Sequence, residues 1–140
     1  MSFPAPEITD VNRPYWEGLA EGSLRYKHCL KCDSDWLPAR SHCPHCLSDK
    51  TEWRASAGRG KVVSWIVYRK AYAPHLESKV PYDVTIVELE EGPRLLTNVV
   101  DSEAGQKLAV GTAVALAIQE EEGFHLPRFR LAEGGDMAQA

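Results

Sequence analysis

Cys29-Leu30-Lys31-Cys32 and Cys43-Pro44-His45-Cys46 hold the four cysteines of this 140-residue chain, with ten residues between the pairs. Each Cys-x-x-Cys closes a tight turn that aims two sulfurs at one ion, and two such knuckles complete a tetrahedron. Thiolates favour soft or borderline metals, so zinc leads and iron follows. An all-thiolate tetrahedron leaves no position for water or substrate, so the metal is expected to hold the fold and do no chemistry. The gap is a little shorter than the commonest zinc spacing. His28, His42 and His45 adjoin the cysteines as spare ligands. Four sulfurs already satisfy zinc, so solvent-facing histidines are the expectation.

Two other uses of the thiols fit less well. A disulfide framework needs an oxidising compartment. Residues 1–20 lack a basic start followed by an apolar run, so a cytoplasmic protein is expected. A thioredoxin-like redox pair needs one Cys-x-x-Cys opening a helix, not two around a polar loop. No apolar run is long enough to span a bilayer.

The net charge of −4 argues mildly against nucleic acid as the main partner. Its distribution is uneven. Residues 23–80 carry 11 Lys/Arg against 5 Asp/Glu, a net of +6, whereas residues 1–22 have a net of −3 and residues 81–140 a net of −7. The basic middle suits a phosphate-bearing ligand or an acidic protein surface, and a plain solvated face is the alternative.

Around the knuckles the chain reads as four parts. Residues 1–23 form an extended arm and a short helix from Asn12 to Glu21, with Asn12 as the cap, Pro14 in the first turn and Gly22 as the stop. Trp16, Leu19 and Ala20 make its apolar stripe, flanked by Tyr15. A helix this short must dock on something. Trp16 is expected in the core, with an interface anchored on Tyr15 and Trp16 as the alternative. Residues 24–55 form the metal ribbon, too small for a core of its own, so metal binding supplies on the order of 10 kcal/mol of its folding.

From Trp53 the hydrophobic period becomes two. Residues 56–132 predict five strands: Lys61–Tyr72, Tyr82–Glu90, Arg94–Val100, Thr112–Gln119 and Phe124–Leu131. Gly58 and Gly60 open the first. Five short strands with regular turn signals suit a small OB-type barrel. Ala113, Ala115 and Ala117 alternate with Val114, Leu116 and Ile118, which leaves open the side that faces in. Residues 133–140 read as a disordered tail. The fold class is mainly β: a short helix, a rubredoxin-like zinc ribbon and a five-stranded OB-fold barrel.

This order resembles the acyl-CoA-associated OB-fold family with an N-terminal rubredoxin-like zinc ribbon, long classed as a domain of unknown function. The resemblance covers residues 11–131. It rests on Pro14-Tyr15-Trp16, Gly22 with Leu24, the first knuckle, the run Pro38 to Cys46, Gly58-x-Gly60-x-Val62, Pro81-Tyr82 and Leu108-x-x-Gly111. Asp33 stands where the family often has Gly. Asp tolerates a left-handed backbone, so the knuckle survives, with a carboxylate set near the thiolates. The resemblance implies a non-catalytic accessory subunit beside a thiolase-like, ketosynthase-like or hydratase enzyme. Such a subunit bridges or stabilises the assembly and helps to bind the CoA thioester. Self-association into a homodimer stays open.

The residues themselves agree with an absence of catalysis. Ser64, Ser78 and Ser102 lack a nucleophile elbow, His75 and His125 are isolated, and Gly58-Arg59-Gly60 is too short for a phosphate loop. His75 lies in the loop between the first two barrel strands, where OB folds often bind ligands. The candidate CoA-phosphate residues are Arg40, Arg59, Lys61, Arg69 and Lys70. The main competing function is single-stranded nucleic-acid binding, with Trp53, Trp65, Tyr68 and Tyr72 as stacking residues beside those cations. An iron electron carrier is a third reading.

Overall fold

The computed structural model describes residues 6–37 and 40–132, so the expected tail at 133–140 lies outside the described residues. Helix α1 (Arg13–Ala20) starts with Pro in its first turn, and Gly22 at φ 92° follows it. That left-handed conformation costs glycine nothing. Asn12 precedes the helix but does not cap it with its side chain. Its Oδ1 accepts the Thr9 amide at 2.7 Å and its Nδ2 donates to the Glu7 carbonyl at 3.0 Å, so it braces the arm instead.

The metal ribbon is a three-stranded antiparallel sheet of β1 (Arg25–Cys29), β2 (Asp35–Trp36) and β3 (Thr51–Ala55), in the order β2-β1-β3. Arg25 ties it to α1. Its Nη1 donates to the Pro14 carbonyl at 3.1 Å and its Nη2 to Glu21 Oε1 at 3.0 Å. Gly18 leaves room for Arg25 to lie across the helix, since a Cβ there would come within 2.7 Å of the Arg25 side chain and displace it.

The remaining strands are β4 (Arg59–Tyr68), β5 (Tyr82–Leu89), β6 (Arg94–Thr97), β7 (Ala113–Leu116), β8 (Gln119–Glu121), β9 (Phe124–Leu126) and β10 (Phe129–Leu131). Five of them form one antiparallel sheet, ordered β10-β7-β4-β5-β6. The ladder itself does not close. Among the described residues, one parallel bridge, Val99 to Phe129, joins the chain after β6 to β10. There the Val100 amide donates to the Phe129 carbonyl at 2.8 Å and the Phe129 amide to the Asn98 carbonyl at 3.0 Å.

Several strands differ in length from the sequence reading. β4 ends at Tyr68, β6 ends at Thr97, β7 spans only Ala113–Leu116 of the expected Thr112–Gln119, and the expected strand Phe124–Leu131 is two pieces. Glu122 (φ 52°) and Gly123 (φ 86°) make a tight turn, so β8 and β9 pair as a separate hairpin. Pro127 has no amide to continue a ladder. Its carbonyl instead accepts the Thr97 hydroxyl at 2.7 Å, and the chain re-enters the main sheet at Phe129.

Phe129, Leu19, Leu24, Val62, Val87, Leu89, Val99, Leu108 and Val114 form one buried cluster. Leu19 comes from α1 and Leu24 from the chain leading into β1, so helix, ribbon and sheet share a core. Val114 faces this core, which puts Ala113 and Ala115 on the outer face. Trp16 and Tyr15 pack against the cluster's rim. Beneath the curled sheet, buried Asp83 accepts the Thr85 hydroxyl at 2.5 Å and the Val99 amide at 2.8 Å through one oxygen. It pins the strand exit to β5.

Candidate functional site

The two knuckles are near copies of each other. After each pair, the first post-cysteine residue is left-handed: Asp33 at φ 62° and Leu47 at φ 63°. The Asp33 amide donates to the Cys29 carbonyl at 3.0 Å, as the Leu47 amide does to Cys43 at 2.9 Å. Lys31 and Cys32 aim their amides at Cys29 Sγ at 3.3 and 3.4 Å, and His45 and Cys46 do the same to Cys43 Sγ. These N–H groups place positive dipole ends where thiolate charge must sit. The Cys32 thiol is drawn down to about 6, chiefly by its hydrogen bond with the Ser34 hydroxyl.

All four Sγ atoms lie within 4.8 Å of one another. Cys29–Cys46 and Cys32–Cys43 stand at 3.6 Å, far beyond the ~2.05 Å of a disulfide. A tetrahedron with metal–sulfur bonds of about 2.3 Å has edges of about 3.8 Å, so the donor set fits a Zn²⁺-sized ion. Trp36 packs on buried Cys29 and Cys43 and keeps water from that side.

The histidines divide. His42 and His45 are exposed, as expected. His28 is buried, against expectation: β1 turns it inward, where Nδ1 lies 2.5 Å from Asp35 Oδ1 and Nε2 lies 3.3 Å from Asp33 Oδ1. It braces the first knuckle from behind. The same contact turns the Asp33 carboxylate toward the imidazole.

The five candidate phosphate residues do not converge. Arg59 and Lys61 share the outer face at the start of β4, opposite Ala115 and Ala113. Arg69 and Lys70 follow the other end of that strand, and Arg40 is exposed on the ribbon side between β2 and the second knuckle. A strand rise of about 3.3 Å per residue separates Arg59 from Arg69 by up to about 30 Å. The register adds a residue that spacing could not: Ala115 pairs with Arg59 on one side and Arg130 on the other. Arg59, Lys61 and Arg130 therefore surround a floor of alanines. Glu90, 3.4 Å from Arg59, and Glu88, 3.8 Å from Lys61, balance part of this charge.

The aromatic residues are also dispersed. Trp65 packs against the core, Trp53 lies on the ribbon beneath Lys27 Nζ at 5.0 Å, and Tyr68 meets Tyr72 and Tyr82 edge to face. They do not make one stacking surface. Ser102 is buried with its hydroxyl donating to the Val99 carbonyl, and Ser64 and Ser78 are exposed. His75 lies in the 3-10 turn Pro74–Leu76, and its side chain falls outside the described set.

Two concavities flank the sheet. One, of about 610 Å³, is bounded by Tyr15 and Trp16 of α1, Leu37 of the ribbon, and Ile86, Leu95 and Leu96 of β5 and β6. Leu96 is 67% exposed there. Burial lifts the Tyr15 hydroxyl to about 12, so it stays protonated. The other, of about 620 Å³, opens beside Lys79, Asp83, Asn98, Glu121 and Arg128. Desolvation lowers the Arg128 guanidinium below its ordinary value. No helix among the described residues is long and apolar enough to cross a membrane.

Known proteins share this arrangement. The family model for the ChsH2 rubredoxin-like zinc ribbon domain matches residues 16–52, and that for the ChsH2 C-terminal OB-fold domain matches residues 53–119. A probable enoyl-CoA hydratase alpha subunit of Thermomonospora curvata is 35% identical over 130 residues, which is 92% of this chain but 40% of that protein. The chain thus spans well under half the length of that relative. A DUF35 domain-containing scaffold protein of Methanothermobacter thermautotrophicus is 33% identical over 104 residues, 72% of this chain and 77% of that protein. The solved structure of an Ltp2-ChsH2(DUF35) aldolase contains a chain 35% identical to this one, matched at a TM-score of 0.81 over 92% of this chain and 100% of that one. With both domains matched in order, this chain belongs to the DUF35 family, as a ChsH2-type zinc ribbon joined to a ChsH2-type OB fold.

Proposed function

We propose that this chain is a non-catalytic accessory subunit of an acyl-CoA-processing complex. One structural Zn²⁺ on Cys29, Cys32, Cys43 and Cys46 would supply a closed four-sulfur template for the ribbon. The groove between α1 and β6 would receive a thiolase-like or hydratase-like enzyme. The observation that carries this reading is the groove itself. An aromatic pair on a short helix, Tyr15 and Trp16 at 5.2 Å and 89°, forms its wall, and solvent-facing Leu96 rises beside it. Exposed apolar surface of this kind marks a contact site, and a large aromatic anchors it. The names of the relatives, a hydratase subunit, a scaffold protein and an aldolase assembly, support the same role.

The test is affinity purification of the whole chain from its native cell, with mass spectrometry of what accompanies it. A thiolase-like or hydratase-like enzyme in near-equal amount is the expected result. Trp16→Asp should remove that enzyme while metal content and far-UV circular dichroism hold. Retention of the enzyme by the folded variant would sink the groove assignment.

On this reading, the CoA phosphates would lie over Ala113 and Ala115, with Arg59, Lys61 and Arg130 around them. An arginine fork on phosphate is worth about 1.5–3 kcal/mol. In the assembled complex, Arg59→Ala or Arg130→Ala should therefore weaken acyl-CoA binding by about tenfold or more, and Arg69→Ala should not. Equal calorimetric affinities for all three variants would exclude this face.

A further inference from the structure

Among the described residues, Arg128 is a half-buried cation without a direct counter-ion. Its Nη1 donates only to the adjoining Pro127 carbonyl, at 3.3 Å, and no carboxylate of the described residues lies within 4.0 Å of it. The acidic groups in electrostatic reach of it are Glu121, the Tyr15 hydroxyl and Asp83, of which the two carboxylates carry charge. Both carboxylates make their direct contacts elsewhere. Glu121 takes Lys79 Nζ on its two oxygens at 2.6 and 3.0 Å, and one Asp83 oxygen holds the Thr85 hydroxyl and the Val99 amide.

The remaining Arg128 donors still reach solvent, and an anion entering there would accept them as charge-assisted hydrogen bonds. The space for one is present. Arg128 lines the cavity of about 620 Å³, whose other walls include Leu76, Pro81, Val99 and Leu126. That volume falls in the range of small-molecule sites, which are mostly apolar with a few placed polar groups. The cavity lies between residues 73–81, the β8–β9 hairpin and residues 98–104, where loops and not strands set its shape.

The charges select the ligand. Lys79 pairs with Glu121, and Asp83 balances Arg128 only at longer range, so Arg128 is the cation of this lining with no direct carboxylate contact, while the two carboxylates oppose a second negative charge on a ligand. We propose that this cavity binds a small monoanionic carboxylate with an apolar body, its two oxygens held by the Arg128 fork. The site stands apart from the accessory role proposed above, since it shares no residue with the α1–β6 groove or the cysteine cluster.

Hexanoate, hexan-1-ol and inorganic phosphate are the probes, titrated into the metal-loaded, isotope-labelled full chain and followed by amide chemical shifts. Hexanoate should give saturable shifts at Val99, Val100 and Leu126, with hexan-1-ol binding about tenfold weaker or worse. Arg128→Gln should lower hexanoate affinity by a similar factor and leave hexan-1-ol unchanged. Arg128→Lys, which keeps the charge and loses the fork, should fall between. If Arg128→Gln does not fold, the wild-type comparison of acid with alcohol still decides. The proposal is overturned by an absence of saturable shifts, by equal binding of acid and alcohol, or by phosphate binding as tightly as hexanoate.

Discussion

Cys43→Ala should release the metal and unfold residues 25–55, the largest single effect expected in this chain. Cys43 is fully buried, and its sulfur receives the amides of His45 and Cys46. Without it, three thiolates remain around an ion whose binding supplies on the order of 10 kcal/mol to a domain of this kind. The ribbon has little to replace that. Its own buried cluster is Cys29, Trp36 and Cys43, with Cys46 beside them. The measurement is metal content by elemental analysis together with amide hydrogen exchange. Bound metal should be lost, and protection should collapse in β1 and β3 while it persists in β4 and β5. A chelator acting on the wild type should reproduce the pattern. A metal-free protein that keeps full protection across residues 25–55 would refute the structural role of the site.

Phe129→Ala should cost about 3–5 kcal/mol, the usual penalty for emptying a buried aromatic site. Phe129 is 0% exposed and is the largest fully buried side chain of the core. It also sits where β10 meets the chain after β6, through hydrogen bonds of 2.8 and 3.0 Å. Truncation therefore opens a cavity where a single bridge joins the two edges of the sheet. For a domain of this size, the loss corresponds to a fall in Tm of about 10–20 °C. Leu131→Ala, two residues along and only partly buried, should cost much less. Thermal unfolding followed by near-UV circular dichroism separates the two. A Phe129→Ala protein melting within about 3 °C of wild type would show that this junction does not hold the sheet together.

The cysteine knuckles were legible because a metal site is local chemistry. Each turn closes on itself through one amide-to-carbonyl bond, and Asp33 adopts the left-handed backbone that a short polar side chain tolerates. The barrel strands were legible from alternation, since period-two apolar spacing is a property of the strand alone. Their ends were less so. The split of Phe124–Leu131 turns on Pro127, whose carbonyl finds a partner 30 residues away in Thr97. His28 looked like a surface residue because no sequence rule says that Asp35 will be paired across from it on β2.

The positive residues show the boundary most clearly. Counting charge marked residues 23–80 as basic, yet the cations there scatter over both ends of β4 and the ribbon. Arg130, from the acidic end of the chain, joins Arg59 across Ala115 only because β7 lies between β4 and β10. Arg128 stands two residues away in sequence but belongs to another cavity. By itself, then, the sequence determined the metal-binding turns, the strand-rich character and the order of the parts, all of which arise from contacts within a few residues. Only the tertiary structure decided the α1–β6 groove, the arginine pair over the alanine floor and the placing of Arg128 in a cavity without a direct carboxylate contact among the described residues. Those depend on strand order and register, where a shift of one residue turns each side chain to the opposite face.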